Sequence, residues 1–342
     1  MSETTVMNSE TSNETLNEKV NETHKKISYM EAIGEAQIEE MQRDERVILM
    51  GEDLAVYGDG GVMDTFGDTR VWSTPISENS FSGMAVGAAM TGMRPIVALN
   101  IASFMYLASD QIINQAGKLR YMTGGQMKVP AVFRCTMYYN SSIAAQHSDR
   151  PYPMFMNAPG LKIIAPTTPS DMKGLLKSAI RDDDPVVIFE DCTLWGTKEL
   201  VSTDPDHLIP IGVADVKREG TDVTVVAIAG CLKPALTAAK SLEKEGISVE
   251  VVDPRTLVPL DKETIIKSVA KTGRLIVVDN ANRTCNAAAE IAAMVAEEAF
   301  ESLKKPIQRL STPDVHIPFS PVLEKPLYPS KDSIITAIRK IL

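Results

Sequence analysis

The chain has 342 residues, a net charge of −10, 44% hydrophobic residues and 23% charged residues. Its length suits two ordinary globular domains, and its acidic balance argues against nucleic acid or an anionic membrane as partner. Cys135, Cys192, Cys231 and Cys285 form no CxxC pair. That spacing argues against a zinc site or a disulfide framework and fits a reducing cytoplasm.

Residues 1–26 are polar and glutamate-rich, with no apolar core for a leader, and read as a disordered tail. No apolar run approaches the ~20 residues that span a bilayer. "SYME" fits a capping box, with Ser28 as cap and Glu31 three residues on; Tyr29, Ile33 and Ala36 follow at helical spacing. "VILM" (47–50) reads as a buried strand ending in "GEDL". Further strands are expected at 94–101, 130–134 and 185–190, and a helix over 109–122 stopped by Gly124 and Gly125. "VSTDPDHLIP" (201–210) reads as a linker. Beyond it strands (222–229, 248–253, 274–279) alternate with helices (233–246, 261–273, 286–303). Such alternation implies parallel sheets covered on both faces. The expected fold is α/β, with two doubly wound domains over 27–200 and 211–342. No internal repeat of short period is visible.

One stretch stands out. In "TPISENSFSGMAVGAAMTGM" (74–93), Glu78 is the lone acid ahead of an apolar run in which Gly83 and Gly87 stand one helical turn apart. Those glycines let another surface approach closely, and the carboxylate would point into the interface so made. An acid favoured at a helix entrance by the dipole is an equally available reading.

The pattern E-x4-G-Φ-x-x-G-Φ resembles the surroundings of the cofactor glutamate in thiamine-diphosphate enzymes. Taken with "GED", "DQIINQAGKLRYMTGG", "AAQHS", "PGLKIIAPTTPSDMKGLLKSAIRDDDPVV", "VDPRTLVPLD" and "PFSPVLE", the chain from about residue 27 onward resembles the β subunit of the decarboxylating component of 2-oxo acid dehydrogenase complexes. The pyruvate and acetoin types are the nearest in pattern, with transketolase-like domains.

The resemblance implies roles for named residues. Glu78 would hydrogen-bond the aminopyrimidine ring and promote its imino form, which activates the thiazolium carbon; a carboxylate beside an apolar wall suits this. Phe104 matches the aromatic lying on the pyrimidine, though the residues by themselves favour an ordinary core phenylalanine. The main chain at Ile76 matches a position lining the cofactor. His147 matches the histidine facing the active centre that acts in acyl transfer to lipoamide, and imidazole titrates near neutrality; a hydrogen-bonded loop histidine is the alternative. Glu52, at a strand's carboxyl end, matches a line of buried acids joining the two active sites, or else caps a turn. His24, His207 and His316 receive no role.

The resemblance also implies metals and partners. "GDG" (58–60) looks like the start of a magnesium-diphosphate motif but lacks its paired asparagine, so it reads as a loop. The family's full motif lies on the α subunit, which would hold Mg2+ and complete the thiamine diphosphate site. Ala131, Ala179, Ile180, Asp182 and Asp184 match a structural potassium site made largely of main-chain oxygens; "RDDDP" could equally be a solvated turn. The expected assembly has two α and two β chains and works with a dihydrolipoyl acyltransferase on a 2-oxo acid or acetoin.

Several departures fall on the substrate side. "CTMYYNSSI" (135–143) replaces a glycine-rich loop, Asn157 replaces a frequent histidine, "HSD" stands for "HSQ", and the segment between Glu52 and Arg70 is short. Two other readings remain: half of a split transketolase-like carboligase, or a catalytically idle interaction subunit. Retention of Glu78, Phe104 and His147 counts against the idle subunit.

Overall fold

The computed structural model describes residues 23–54 and 60–342. The chain begins with β1 (His24–Ser28), α1 (Tyr29–Arg43), β2 (Val47–Glu52), α2 (Val62–Phe66), β3 (Val71–Thr74), α3 (Glu78–Met90) and β4 (Arg94–Ile101). A 3-10 turn (Ala102–Tyr106) and a π-type stretch (Asp110–Ala116) lead into α4 (Gly117–Met122) and β5 (Val132–Met137). Then come α5 (Tyr152–Met156), β6 (Lys162–Ile164), α6 (Pro169–Arg181), β7 (Val186–Asp191) and β8 (Lys198–Ser202).

The second half holds β9 (Asp215–Arg218), β10 (Val223–Ala227), α7 (Leu232–Glu243), β11 (Val249–Asp253), β12 (Thr256–Val258) and α8 (Lys262–Thr272). It ends with β13 (Leu275–Asn282), α9 (Ala287–Glu298), β14 (Gln308–Thr312), α10 (Pro321–Glu324) and α11 (Lys331–Ile341).

The first large sheet runs β12-β6-β7-β5-β4-β2-β3 and the second β14-β13-β10-β11-β9. All neighbours are parallel except β12 on β6 and β9 on β11. This is the expected α/β architecture. Alternate residues of each strand feed opposite faces. Val47, Leu49, Ile96, Val132 and Ile188 pack toward Ala32, Ala36, Leu175 and Leu176 of α1 and α6. The other face, with Met50, Leu99, Phe133 and Phe189, shares one core with Val226, Val277, Ile265 and Ile291 of the second half. The outer face of the second sheet rests on α7 and α11 through Val225, Val251, Ala235 and Ile338.

The capping box at Ser28 forms: its hydroxyl accepts from the Glu31 N–H at 3.2 Å, and Glu31 accepts from the Ser28 N–H at 2.7 Å. The stretch 1–26 expected as a tail is corrected at its end. His24, Lys25 and Lys26 pair with Ser202, Val201 and Leu200 in an antiparallel ribbon, so the expected linker (201–210) likewise begins inside a strand. Both segments are polar because the ribbon has no partner beyond itself. Residues 1–22 lie outside the described residues, as do Gly58 and Asp59 of "GDG". Among the described residues no helix is long and apolar enough to cross a membrane.

The two halves are joined by strand β12 and by a buried ionic cluster. Asp171, 1% exposed, receives Lys217 at 2.7 Å, Arg255 at 2.6 Å and the Thr168 hydroxyl at 2.9 Å. Burial, then the Asp171 charge, push the neighbouring Asp253 carboxyl up.

Candidate active site

The candidate residues gather at the carboxyl ends of the parallel strands. Chain order reverses at β2, which lies between β3 and β4, and such a switch point leaves a crevice at the strand ends. Glu52 ends β2 opposite Thr74 of β3. Three residues link Thr74 to α3, and they include Ile76, which is 72% exposed. Glu78 opens α3. Phe104 lies in the turn after β4, and His147 in the turn Ala145–His147 that follows β5.

Glu52 is 1% exposed, and neither carboxylate oxygen has a hydrogen-bond partner among the described residues. Burial, then the charges of Glu78 and Asp53, raise its carboxyl to about 7. Its main-chain oxygen accepts from the Asn100 side chain at 2.8 Å. Glu78 is 5% exposed, and no hydrogen bond from the described residues holds its side chain. A buried acid without partners is costly, so Glu52 adds no stability where it stands. In the chain's own fold, Gly83 faces the Gln111 side chain, whereas Gly87 faces open space beside the exposed Met84 and Met90.

The turns bearing Phe104 and His147 are stitched together. The Ser103 hydroxyl donates to the Gln146 carbonyl at 2.5 Å. The Phe104 and His147 rings meet edge to face, with centroids 5.6 Å apart and planes at 74°. Burial, then the charge of Asp149, raise the Tyr106 phenol to about 12. Burial raises Asp149, while Arg150 and His316 oppose it.

The segment replacing a glycine-rich loop keeps a glycine-like backbone. Asn140, Ser142 and Ala144 have φ of 53°, 55° and 63°. Ala144, with ψ −171°, occupies a region that is nearly reserved for glycine. Such conformations cost roughly 1–3 kcal/mol each and need outside support. The supporting contacts, from Arg150, Glu324 and Tyr328, were invisible to sequence reasoning because they join residues far apart in the chain.

The five potassium candidates converge where α6 ends against β5 and β7. Ala131 O accepts from the Val186 N–H at 3.0 Å, and Ala179 O from the Asp182 N–H at 3.2 Å. Ile180 O and Asp182 O accept from Arg94 at 3.3 and 2.9 Å. The Asp182 carboxylate binds Lys162 at 2.7 and 2.6 Å, and Asp184 pairs with Arg120. Each carbonyl keeps a second lone pair, so the oxygen chemistry suits a hard cation. No cluster of three or more His, Cys, Asp or Glu that could hold a metal occurs among the described residues.

Comparison with known proteins decides the family. Residues 25–195 match the model of the transketolase pyrimidine binding domain, and residues 212–334 that of the transketolase C-terminal domain. The acetoin:2,6-dichlorophenolindophenol oxidoreductase subunit beta of Bacillus subtilis is 44% identical, over 92% of this chain and 97% of its own length. The chain belongs to the transketolase-like family of dehydrogenase β subunits. Another family member, the pyruvate dehydrogenase E1 component subunit beta of Rickettsia felis, is 43% identical over 92% of this chain and 98% of its own. The 2-oxoisovalerate dehydrogenase subunit beta of B. subtilis is 41% identical over the same two shares. A solved split-gene transketolase, described as an inactive β4 tetramer, superposes with a TM-score of 0.77 at 24% identity, over 92% of this chain and 98% of that one. This superposition speaks for the fold.

Proposed function

We propose that the chain is the catalytic β subunit of a thiamine-diphosphate-dependent dehydrogenase acting on a 2-oxo acid or acetoin, completed by an α subunit. The observation carrying this is the buried Glu52 carboxylate at the switch point, without a hydrogen-bond partner among the described residues, whose proton affinity is raised by burial and then by the nearby, nearly buried Glu78. Thiamine diphosphate, when bound, would supply an electron sink for the substrate's carbonyl carbon. Glu78 would accept a hydrogen bond from the pyrimidine end and so favour the protonated ring. Glu52, raised to about 7, keeps a proton available behind it near neutrality. Phe104 and the Ile76 main chain line the ring. His147, steered by Phe104, moves a proton during acyl transfer to the lipoamide of a dihydrolipoyl acyltransferase.

The α chain would hold the diphosphate and Mg2+, and would cover the open face of Gly87, Met84 and Met90. Two α and two β chains follow from the usual two-fold symmetry of such interfaces. A structural K+ would sit on the Ala131, Ala179, Ile180 and Asp182 oxygens near Asp184. All four cysteines are free, which supports a cytoplasmic location. Co-expressed α and β chains assayed with lipoamide against pyruvate, branched 2-oxo acids and acetoin test the proposal; turnover of none of them refutes it.

A further inference from the structure

The segment between β5 and the His147 turn is held in a conformation its own side chains resist, with left-handed backbone at Asn140, Ser142 and Ala144. Outliers of this kind persist only where surrounding structure over-determines them, and they collect at functional sites. Here the surroundings come partly from the second half of the chain. Glu324, 1% exposed, ends α10. One of its carboxylate oxygens accepts from the Ser142 N–H at 2.9 Å, and the other from the Tyr328 phenol at 3.2 Å.

Tyr328 packs edge-on against Tyr139, with ring centroids 5.0 Å apart. The Arg150 guanidinium lies 4.9 Å from the centroids of both rings. The same guanidinium donates to the Tyr138 carbonyl at 2.9 Å and to the Ser148 carbonyl. One cation therefore ties both ends of a span that contains His147, and one carboxylate from the other domain ties its middle.

We infer that Glu324 is a positioning residue: it reaches across from the second domain to hold the strained 138–144 loop, and so fixes where His147 stands. The inference rests on the proposed role of His147 in acyl transfer. Misplacing an acid-base group by ~1 Å can cost about 100-fold, so a loosened loop slows the step that needs His147 and spares earlier ones. Glu324 itself touches no reacting atom.

The test uses the assembled α–β enzyme. Hydrogen exchange of the peptide covering 138–147 reads the clamp, and turnover with lipoamide against turnover with an artificial electron acceptor reads the positioning. Glu324→Ala should speed exchange in that peptide about tenfold and lower lipoamide-linked turnover about tenfold. Artificial-acceptor turnover should stay within twofold. Glu324→Gln keeps one acceptor oxygen for the Ser142 N–H and should recover part of both losses. If Glu324→Ala does not assemble, Tyr328→Phe removes one of the two bonds and should move both readouts the same way by less. Unchanged exchange overturns the inference, as does an equal fall in both turnovers. A wild-type complex that never acylates lipoamide overturns the proposed function, and the positioning role with it. A faster exchange with an unchanged acceptor ratio overturns the positioning role alone.

Discussion

Glu52 ends one strand and Glu78 opens one helix at the same end of the sheet, and the charge of Glu78 helps hold Glu52 up to about 7. Neither finds a hydrogen-bond partner among the described residues for its carboxylate. Under the proposed function, the pair gives up stability to keep two acids ready for a ligand bound between this chain and its α partner.

That cost has a pH signature. The folded chain keeps the Glu52 proton up to about 7, and the unfolded chain releases it near its ordinary value of 4.5. Protonation therefore favours folding, and this contribution is lost as pH rises from about 4.5 through about 7. Glu52→Gln removes the effect. Measured by thermal unfolding, the variant should gain on wild type between pH 5 and pH 8, by on the order of 2 kcal/mol. Asp253 titrates in both proteins, so it drops out of the difference. A gap that is the same at both pH values would count against a buried, partner-free Glu52.

Glu78→Gln should cut turnover by more than ~100-fold while leaving the α–β assembly intact, because a neutral amide cannot favour the protonated pyrimidine. Steady-state kinetics alongside size-exclusion chromatography checks both halves. Near-normal turnover would remove Glu78 from the proposed chemistry.

His147→Ala should leave cofactor binding almost unchanged and slow lipoamide acylation more than decarboxylation, which an artificial acceptor reports. Equal losses in the two assays would contradict its place in acyl transfer.

Asp171→Asn should destabilise the chain by about 2 kcal/mol, because Lys217 and Arg255 would lose one of the carboxylates that pair with them and keep Asp215, 2.7 Å from each. A urea midpoint identical to that of wild type would show that the cluster contributes nothing to domain contact.

The strands and helices read from the sequence are those with strong internal periodicity. β2, β4, β10, β11 and β13 are buried almost throughout and carry short apolar stretches, and α8 ends on Gly273 with φ 75° as its spacing suggests. Short strands escaped: "VWST", "KELVS" and "DVKR" carry little apolar signal because they lie at sheet edges or in the β1–β8 ribbon. β12 escaped because it leaves its own domain to pair with β6. α6 and α11 went unread although Thr168 and Ser330 cap them. The expected helix over 286–303 stops at Glu298, and a short 3-10 turn, Phe300–Ser302, follows. At the site, spacing drew attention to Glu78, and its place in a family pattern suggested a role. That the carboxylate lacks a partner depends on tertiary packing, as does the support given by Glu324, 182 positions from Ser142.

The central claim is a cofactor site divided between two chains, and calorimetry with thiamine diphosphate and Mg2+ tests it most directly. In the proposed site Glu78, Ile76 and Phe104 take the ring end, and the diphosphate and Mg2+ are left to the α chain. The account predicts weak or undetectable heat for the chain alone and tight, magnesium-dependent binding once the α chain is added. Tight, magnesium-dependent binding by the chain alone would contradict it.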